Sequence, residues 1–271
     1  MAMGVFAQND DQIKLIIRVD DIGSFHAANV ACIETYESGI AQSVELMAPC
    51  AWFSEATKML NENPGFDVGI HLVLTSEWSN VKWRPLTKCP SLVDADGYFF
   101  PMVWKNDNFP TGSSIQESEW KLDEIEKELR AQIEVSLKHV PHISHISTHM
   151  GFQSLDSKIA DLVKKLAKEY DLEVDLNGVK RFSGWSRETA YENRVEQFCE
   201  NLEKLTPGTY LYVEHPGKEG GEMESVGHTG YTNVGTDREW VTRVLTNEKV
   251  KRTIEKKNIQ LVSYKEMKGK S

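Results

Sequence analysis

Short apolar runs that alternate with helical patterns constrain the fold of this chain more than any other feature. Each run is roughly 5–8 residues long, which is the usual length of a buried strand. The runs predict strands at 14–20, 42–48, 67–74, 142–149, 172–176, 209–214 and 259–264. Helical patterns lie between most of them, at 27–38, 53–61, 117–140, 154–170, 188–205 and 237–257.

This alternation is typical of βαβ units that build a parallel sheet. With seven predicted strands in 271 residues, the chain is predicted to be α/β, with a (β/α) barrel-like fold of about seven parallel strands. A doubly wound open sheet is the competing arrangement. We see no internal repeat or linker, so residues 12–271 are predicted to form a single catalytic domain.

One long segment, 76–114, breaks the alternation and is rich in aromatic residues and proline. A long ordered loop in an enzyme is more often functional than not, so this loop is predicted to be a lid or a substrate wall. The alternative is a structural excursion that packs around its own aromatic side chains.

The first residues, 1–11, also fall outside the pattern. Val5-Phe6-Ala7 resembles the small-residue end of a secretory signal, but no basic region precedes it and the apolar stretch is short. Two interpretations stay open, a disordered arm and a signal-peptide remnant. The protein is predicted to be periplasmic or secreted if residues 1–7 end a signal peptide, and cytoplasmic otherwise.

Charge and composition exclude several classes of partner. The formal net charge of −10 argues against nucleic-acid binding, which needs a cationic surface. No apolar run approaches the ~18 residues of a membrane span, so no membrane insertion is expected. The four cysteines form no C-x-x-C pair, and they are predicted to be buried thiols rather than zinc ligands. The oligomeric state is open, and a homodimer is among the arrangements that we consider.

Candidate metal ligands follow three of the predicted strands. Asp20 and Asp21 end the first strand, at the edge where (β/α) barrels place their active sites. Two close carboxylates repel each other unless positive charge lies beside them, and a divalent metal supplies it. His71 and His149 lie late in two other apolar runs. One Asp with two His favours one divalent ion, zinc before magnesium or manganese.

A fourth strand end carries Glu214 and His215, followed by Pro-Gly. His215 is interpreted as a further ligand or a general acid, and the alternative is a turn residue.

These motifs resemble those of the YdjC-like carbohydrate deacetylase family, which includes chitooligosaccharide deacetylases. The matching segments are DDIG at 20–23, VGIHLVLT at 68–75, SLVDADGYF at 91–99 and HPG at 215–217. The third strand motif departs from the family pattern Asp-Ser-His-x-His, because the chain has STHMG at 147–151. Ser147 stands in place of Asp and Gly151 in place of the second His. The departure predicts a divergent branch with a different substrate pocket.

The resemblance implies a polysaccharide-deacetylase-like barrel that uses a divalent metal to remove an acetyl group from an N-acetylated sugar or oligosaccharide. Such an enzyme is a hydrolase acting on a linear amide bond. By analogy, Asp20 is the general base, and Asp21, His71 and His149 are the metal ligands, although the two aspartates could exchange roles. His215 would protonate the leaving amine or hold the oxyanion. The predicted substrate contacts are Trp78, Trp83 and Glu214.

Two competing functions were considered. A non-catalytic sugar-binding protein of the same fold would have lost the base or the metal ligands, yet all four candidate residues are present. Another metal-dependent barrel enzyme, such as an isomerase or a phosphoesterase, is the other alternative. A phosphoesterase usually needs ligands for two metals, and the third strand motif lacks the second His.

Overall fold

The computed structural model describes residues 12–268, so the arm predicted at 1–11 lies outside the described residues. Its centre is a seven-stranded sheet in which all paired strands are parallel. The strands are β1 (Ile13–Ile22), β2 (Ser43–Leu46), β3 (Asp67–Leu72), β4 (His145–Thr148), β5 (Lys180–Arg181), β6 (Gly208–Glu214) and β7 (Ile259–Leu261).

The order of the strands distinguishes a barrel from an open doubly wound sheet. The sheet runs β4-β3-β2-β1-β6-β5, and β7 pairs with the first residues of β1. A doubly wound sheet would place the strand after β3 beside β1, whereas here the late strands β6 and β7 pair with β1. Within residues 12–268 no ladder joins β4 to β5, so the sheet is a half-barrel. The barrel-like prediction is therefore confirmed.

Eight α-helices accompany the strands of the described chain. They are α1 (His26–Glu37), α2 (Phe53–Glu62), α3 (Leu122–His139), α4 (Ser157–Glu169), α5 (Arg194–Glu203), α6 (Val234–Leu245), α7 (Glu248–Lys256) and α8 (Tyr264–Lys268). In α3 the apolar side chains of Ile125, Leu129 and Ile133 recur every fourth residue and are fully buried, as a helix packed on a sheet requires. None of the helices seen in this part of the chain has both the length and the apolar character needed to cross a membrane.

Two sequence-based assignments were wrong. Residues 172–176 form no strand, and β5 is instead the exposed pair Lys180–Arg181, which no apolar run marks. The helix predicted at 237–257 is divided into α6 and α7. The division falls at Asn247, whose side chain accepts a hydrogen bond from the amide of Lys249 at 2.8 Å and so begins a new helix.

The two faces of β1 show how the sheet positions polar groups. Leu15, Ile17 and Val19 belong to the large apolar cluster that packs the sheet against the helices. Arg18 and Asp20 alternate with them and therefore lie on the opposite, inner face of the half-barrel. The inner face thus becomes polar toward the carboxyl end of the strand. The four cysteines are free and buried, as predicted.

The 76–114 segment is packed into the protein along much of its length. Six of its apolar side chains are buried and belong to the large cluster: Trp78, Trp83, Cys89, Leu92, Phe99 and Val103. Glu128 of α3 is fully buried and accepts hydrogen bonds from the amides of Leu86 and Thr87 at 3.0 and 2.8 Å. These bonds satisfy backbone donors that the irregular segment cannot pair within itself.

Candidate metal centre and active site

The neighbouring residues Asp20 and Asp21 reach one site because the strand is distorted between them. Successive strand residues normally point to opposite faces. Here the register between β1 and β2 shifts between Val19 and Ile22, and Asp21 has a left-handed backbone with φ of 75°. A non-glycine residue in this region is uncommon and strained, and such strain is typical of functional sites.

Asp21, His71 and His149 come together as the sequence predicted. Asp21 Oδ1 lies 3.5 Å from His149 Nδ1 and 3.7 Å from His71 Nε2, and all three ligand atoms lie within 4.8 Å of one another. Atoms bonded to one ion at about 2.0–2.2 Å have separations of this size. All three residues are buried, and among residues 12–268 no group comes within hydrogen-bond geometry of Asp21 Oδ1 or His149 Nδ1. A cation would satisfy both atoms, so the residues fit a metal.

The two histidines have opposite pKa shifts. Burial lowers the pKa of His71 to about 4, so its imidazole is neutral at pH 7. Burial also opposes protonation of His149, but Glu77 and Asp21 outweigh burial and raise its pKa to about 10. Binding of a cation between Asp21 Oδ1 and His149 Nδ1 would displace the proton from Nδ1, because a metal ligand must be deprotonated.

The two aspartates are held by different arginines. Asp20 forms an ion pair with Arg18: Oδ2 accepts a hydrogen bond from Nη2 at 2.8 Å, and Oδ1 lies 2.8 Å from Nε without hydrogen-bond geometry. Asp21 accepts a hydrogen bond from Arg238 at Oδ2, 2.7 Å away, which leaves Oδ1 facing the histidines. Burial alone would raise the pKa of Asp21, but His215 and Arg238 hold it well below its usual range. Asp20 Oδ2 lies 3.8 Å from His71 Nε2, beside the candidate metal position.

Each candidate histidine ligand has a polar partner on its other nitrogen. His149 Nε2 lies 3.0 Å from a carboxylate oxygen of Glu77, and His71 Nδ1 lies 2.7 Å from Ser147 Oγ. Such partners fix the ring orientation of metal-binding histidines. The hydroxyl of Ser147 in turn donates a hydrogen bond to Glu45.

Glu45 is a fully buried carboxylate on β2. Its other oxygen contacts His145 Nε2 at 2.6 Å, and Arg18 Nε lies 3.9 Å away. Burial alone would raise the pKa of Glu45, but His145 and Arg18 outweigh burial and lower it to about 2. The carboxylate is therefore ionised at neutral pH.

Gly69 allows Glu45 and His145 to meet across the middle strand. The three residues are in register on β2, β3 and β4, and a Cβ at Gly69 would lie 2.5 Å from Glu45 Oε2 and 2.5 Å from His145 Nε2. We expect Gly69→Ala to destabilise the fold by about 1–3 kcal/mol, the usual cost of overpacking. Denaturant unfolding measures this. Gly235→Ala is the matched control, because its nearest contact is an ordinary 3.4 Å. Equal stability of the two variants would contradict the prediction.

A cavity of about 290 Å³ opens above the candidate ligands. Trp78, Glu214, His215, His228 and Tyr231 are among its lining residues. Trp78 stacks on His228 with ring centroids 5.7 Å apart. The cavity therefore combines a charged floor with an aromatic wall, as small-molecule sites commonly do.

The predicted acid and substrate residues occupy different positions around this cavity. His215 is half-buried, and its Nδ1 lies 3.8 Å from Glu214 Oε2. Burial opposes protonation of His215, but Asp21 and Glu214 outweigh burial and raise its pKa. Trp83 packs behind His149, at a centroid distance of 6.3 Å, and its indole N–H donates to the carbonyl of Thr75. Trp83 is not among the residues that line this cavity, so its contact with a substrate stays a prediction.

Sequence reasoning missed four charged residues of the site. They are Arg18, Glu45, Glu77 and Arg238. Arg18 and Glu45 carried a usable signal, because a charge inside an apolar strand requires a buried partner. Glu77 lies in a loop, and Arg238 lies in the amphipathic helix α6. Charged residues are common in both settings, so no sequence pattern marks these two.

The structure is a half-barrel with a buried Asp-His-His cluster at the carboxyl ends of its strands, an arrangement compatible with a divalent metal site. The sequence profile of the YdjC-like protein family matches residues 14–256. The chain belongs to this family.

Several curated relatives carry a deacetylase name. A carbohydrate deacetylase from Clostridium beijerinckii is 29% identical over 269 residues, which covers 94% of this chain and 100% of the relative. A chitooligosaccharide deacetylase from Yersinia enterocolitica is 33% identical over 160 residues, covering 58% of this chain and 57% of the relative.

Solved structures support the fold. A protein from Enterococcus faecalis V583, provisionally described as a cellobiose-phosphate cleavage protein, superposes with a TM-score of 0.73 at 23% identity. The superposition covers 95% of this chain and 99% of that one. A peptidoglycan N-acetylglucosamine deacetylase superposes with a TM-score of 0.50 at 12% identity, covering 96% and 90%. At these identities the likeness concerns the fold alone.

Proposed function

We propose that the protein is a metal-dependent carbohydrate deacetylase, which hydrolyses the amide of an N-acetylated sugar or oligosaccharide. The observation that carries the proposal is the buried cluster of Asp21, His71 and His149, with Asp20 beside it. Asp21 and His149 of this cluster line an aromatic-walled cavity. The deacetylase names of the relatives support the reaction class. The catalytic unit is proposed to extend over residues 12–271.

Asp21, His71 and His149 would hold one divalent ion. One carboxylate with two imidazoles suits zinc or another first-row metal better than magnesium, which prefers oxygen ligands. When bound, the ion supplies polarisation of the acetyl carbonyl and a lowered pKa for water.

Asp20 accepts the proton of the attacking water in this proposal. Arg18 forms an ion pair with its carboxylate, so the base has a fixed orientation. The water oxygen bonds to the acetyl carbon, the carbon–nitrogen bond breaks, and acetate and a free amine result. His215, which lines the cavity, would donate the proton that the leaving amine needs, and its raised pKa favours the protonated imidazole that this role requires.

The sugar would lie against the wall built by Trp78, His228 and Tyr231. Aromatic faces suit the apolar faces of sugar rings, and Glu214 at the rim offers a carboxylate for hydroxyl groups. Trp78 lines the cavity although it is only 3% exposed, so its contact with the sugar would involve the small part of the ring that faces the cavity.

Metal removal tests the proposed function. We expect the chelator-treated protein to release no acetate from N-acetylglucosamine oligomers, and added Zn²⁺ to restore release, because the Asp-His-His cluster needs the ion to act on the amide. The measurements are metal content and acetate released from oligomers of different length, with magnesium and manganese as comparison ions.

Three outcomes would contradict the proposal. Oligomer binding without acetate release would favour a sugar-binding protein. Metal-dependent cleavage of a phosphoester, or isomerisation of a sugar, would favour another barrel enzyme. Acetate release that survives complete metal removal would exclude the metal role.

A further inference from the structure

A line of polar contacts leads from the candidate metal ligand His71 to a buried carboxylate. His71 Nδ1 lies 2.7 Å from Ser147 Oγ, and the Ser147 hydroxyl contacts Glu45 Oε2. The residues lie on three adjacent strands, with His71 and Ser147 in register across β3 and β4. The Ser147 hydroxyl therefore bridges the His71 ring and the Glu45 carboxylate.

The protons available on His71, Ser147 and Glu45 determine which group donates each of the two hydrogen bonds. A serine hydroxyl has one proton, and an ionised carboxylate has none. The Ser147 proton therefore goes to Glu45, and Ser147 Oγ must accept its second hydrogen bond from His71. A neutral imidazole has a single N–H, so placing that proton on Nδ1 leaves a lone pair on Nε2.

The opposite tautomer finds no partner at Nε2. The nearest carboxylate oxygens, on Asp21 and Asp20, lie 3.7 and 3.8 Å from this atom, beyond hydrogen-bond distance. Nε2 is also the atom that faces the candidate metal position. The geometry at both nitrogens therefore favours one arrangement, with the proton on the side of Ser147.

We propose that Glu45 and Ser147 are positioning residues that set the tautomer of His71 and present its Nε2 lone pair to a divalent cation. This inference rests on the metal role of His71 in the proposed function. Glu45 acts through Ser147 and touches neither the ion nor the substrate. Its contact with His145 across Gly69 is what holds the carboxylate in place on the inner face of the sheet.

The same carboxylate lies beside the residue that orients the proposed base. Arg18 Nε is 3.9 Å from Glu45 Oε1, and Arg18 forms an ion pair with Asp20. Glu45 therefore contacts Ser147, which orients His71, and lies beside Arg18, which pairs with Asp20. Removal of the Glu45 carboxylate is expected to disturb His71 and Asp20, whereas loss of the Ser147 hydroxyl is expected to disturb His71 alone.

The test measures the tautomer of His71 in the metal-free protein and the affinity for Zn²⁺. Long-range ¹H–¹⁵N correlation spectra at neutral pH identify which ring nitrogen carries the proton, and calorimetry gives the affinity. In the wild type we expect the proton on Nδ1. In Ser147→Ala we expect a mixture of tautomers and a Zn²⁺ affinity lower by about 10–100-fold, the usual effect of losing such a partner.

Ser114→Ala is the matched control. Ser114 is a buried serine outside the sheet whose hydroxyl donates to a carboxylate oxygen of Glu117 at 2.7 Å. We expect this variant to keep the Nδ1 tautomer and the wild-type affinity, because its hydroxyl belongs to a hydrogen bond separate from the His71–Ser147–Glu45 contacts.

A double variant with compensating substitutions distinguishes a loss of His71 orientation from a general disruption of the site. In the double variant Ser147→Asp with Glu45→Gln, the new carboxylate accepts directly from His71 Nδ1 and the new amide donates to that carboxylate. We expect the Nδ1 tautomer to return and the Zn²⁺ affinity to recover at least about tenfold over Ser147→Ala. Failure of the double variant to fold would leave Ser147→Ala as the deciding measurement.

Two results would overturn the inference. One is a wild-type His71 that carries its proton on Nε2. The other is a Ser147→Ala protein that keeps both the tautomer and the affinity within about twofold of wild type. A wild type with the proton on Nδ1 that binds no metal would instead support the tautomer assignment and overturn the proposed function.

Discussion

Asp20→Asn is expected to reduce the rate of acetate release by about 10²–10⁴-fold, the usual contribution of a positioned base. Metal content is expected to stay unchanged, because Asp20 is paired with Arg18 and the cluster of ligand atoms uses Asp21 instead. The measurements are turnover at saturating N-acetylated oligosaccharide and metal content per chain.

The surface variant Asp161→Asn on α4 controls for the loss of a carboxylate elsewhere, and we expect it to match the wild type. An Asp20→Asn protein that loses its metal would assign the ligand role to Asp20. Full activity of Asp20→Asn on each substrate that the wild type cleaves would remove Asp20 from the chemistry.

Asp21→Asn is expected to have the second large effect, on metal binding. The variant loses the negative charge that faces both histidines. We therefore expect the Zn²⁺ affinity to fall by at least about 100-fold. That is the upper end of the effect of replacing a residue that only hydrogen-bonds to a metal ligand. Calorimetry on the metal-free protein measures the affinity, and activity is expected to fall with metal occupancy.

Asn is the suitable replacement here because it tolerates the left-handed backbone of Asp21. Circular dichroism of the variant separates loss of the ligand from loss of the fold. Retention of metal by Asp21→Asn together with its loss in Asp20→Asn would exchange the two roles. Full activity in both variants would overturn the deacetylase proposal itself.

Residues at the ends of buried strands were the part of the site that the sequence could predict. Asp21, His71 and His149 each follow an apolar run, and parallel strands bring such positions to one edge of the sheet. The inference needed only the strands and their direction, and it did not depend on the order of the strands in the sheet. This is why the proximity of Asp21, His71 and His149 could be predicted although one strand was misplaced, while their role as metal ligands stays a proposal.

Features that depend on tertiary contacts could not be predicted in this way. β5 has two exposed residues and exists because the backbone of β6 pairs with it, so it has no apolar pattern of its own. Glu77 and Arg238 reach the site from a loop and from α6, and their partners are distant in the sequence. Local composition does not contain such information.

The location of Ser147 in the site is a further feature that the sequence did not predict. At this position the departure from the family pattern suggested a changed substrate pocket. In the structure Ser147 contacts His71 and Glu45, and it is not among the lining residues of the cavity. Ser147 therefore lies beside the candidate metal ligand His71 and not in the cavity lining. The effect of the departure on substrate choice stays a prediction.

The left-handed backbone at Asp21 restricts how this position can evolve. Glycine, asparagine and aspartate accept that conformation most readily, whereas β-branched side chains are genuine outliers there. Of these three, only aspartate carries the charge that pairs with Arg238 while keeping a second oxygen free. Backbone geometry and chemistry therefore select the same residue independently. If the proposed role of Asp21 were lost in a relative, asparagine or glycine would be expected at this position before valine or isoleucine, because those two residues accept the backbone conformation.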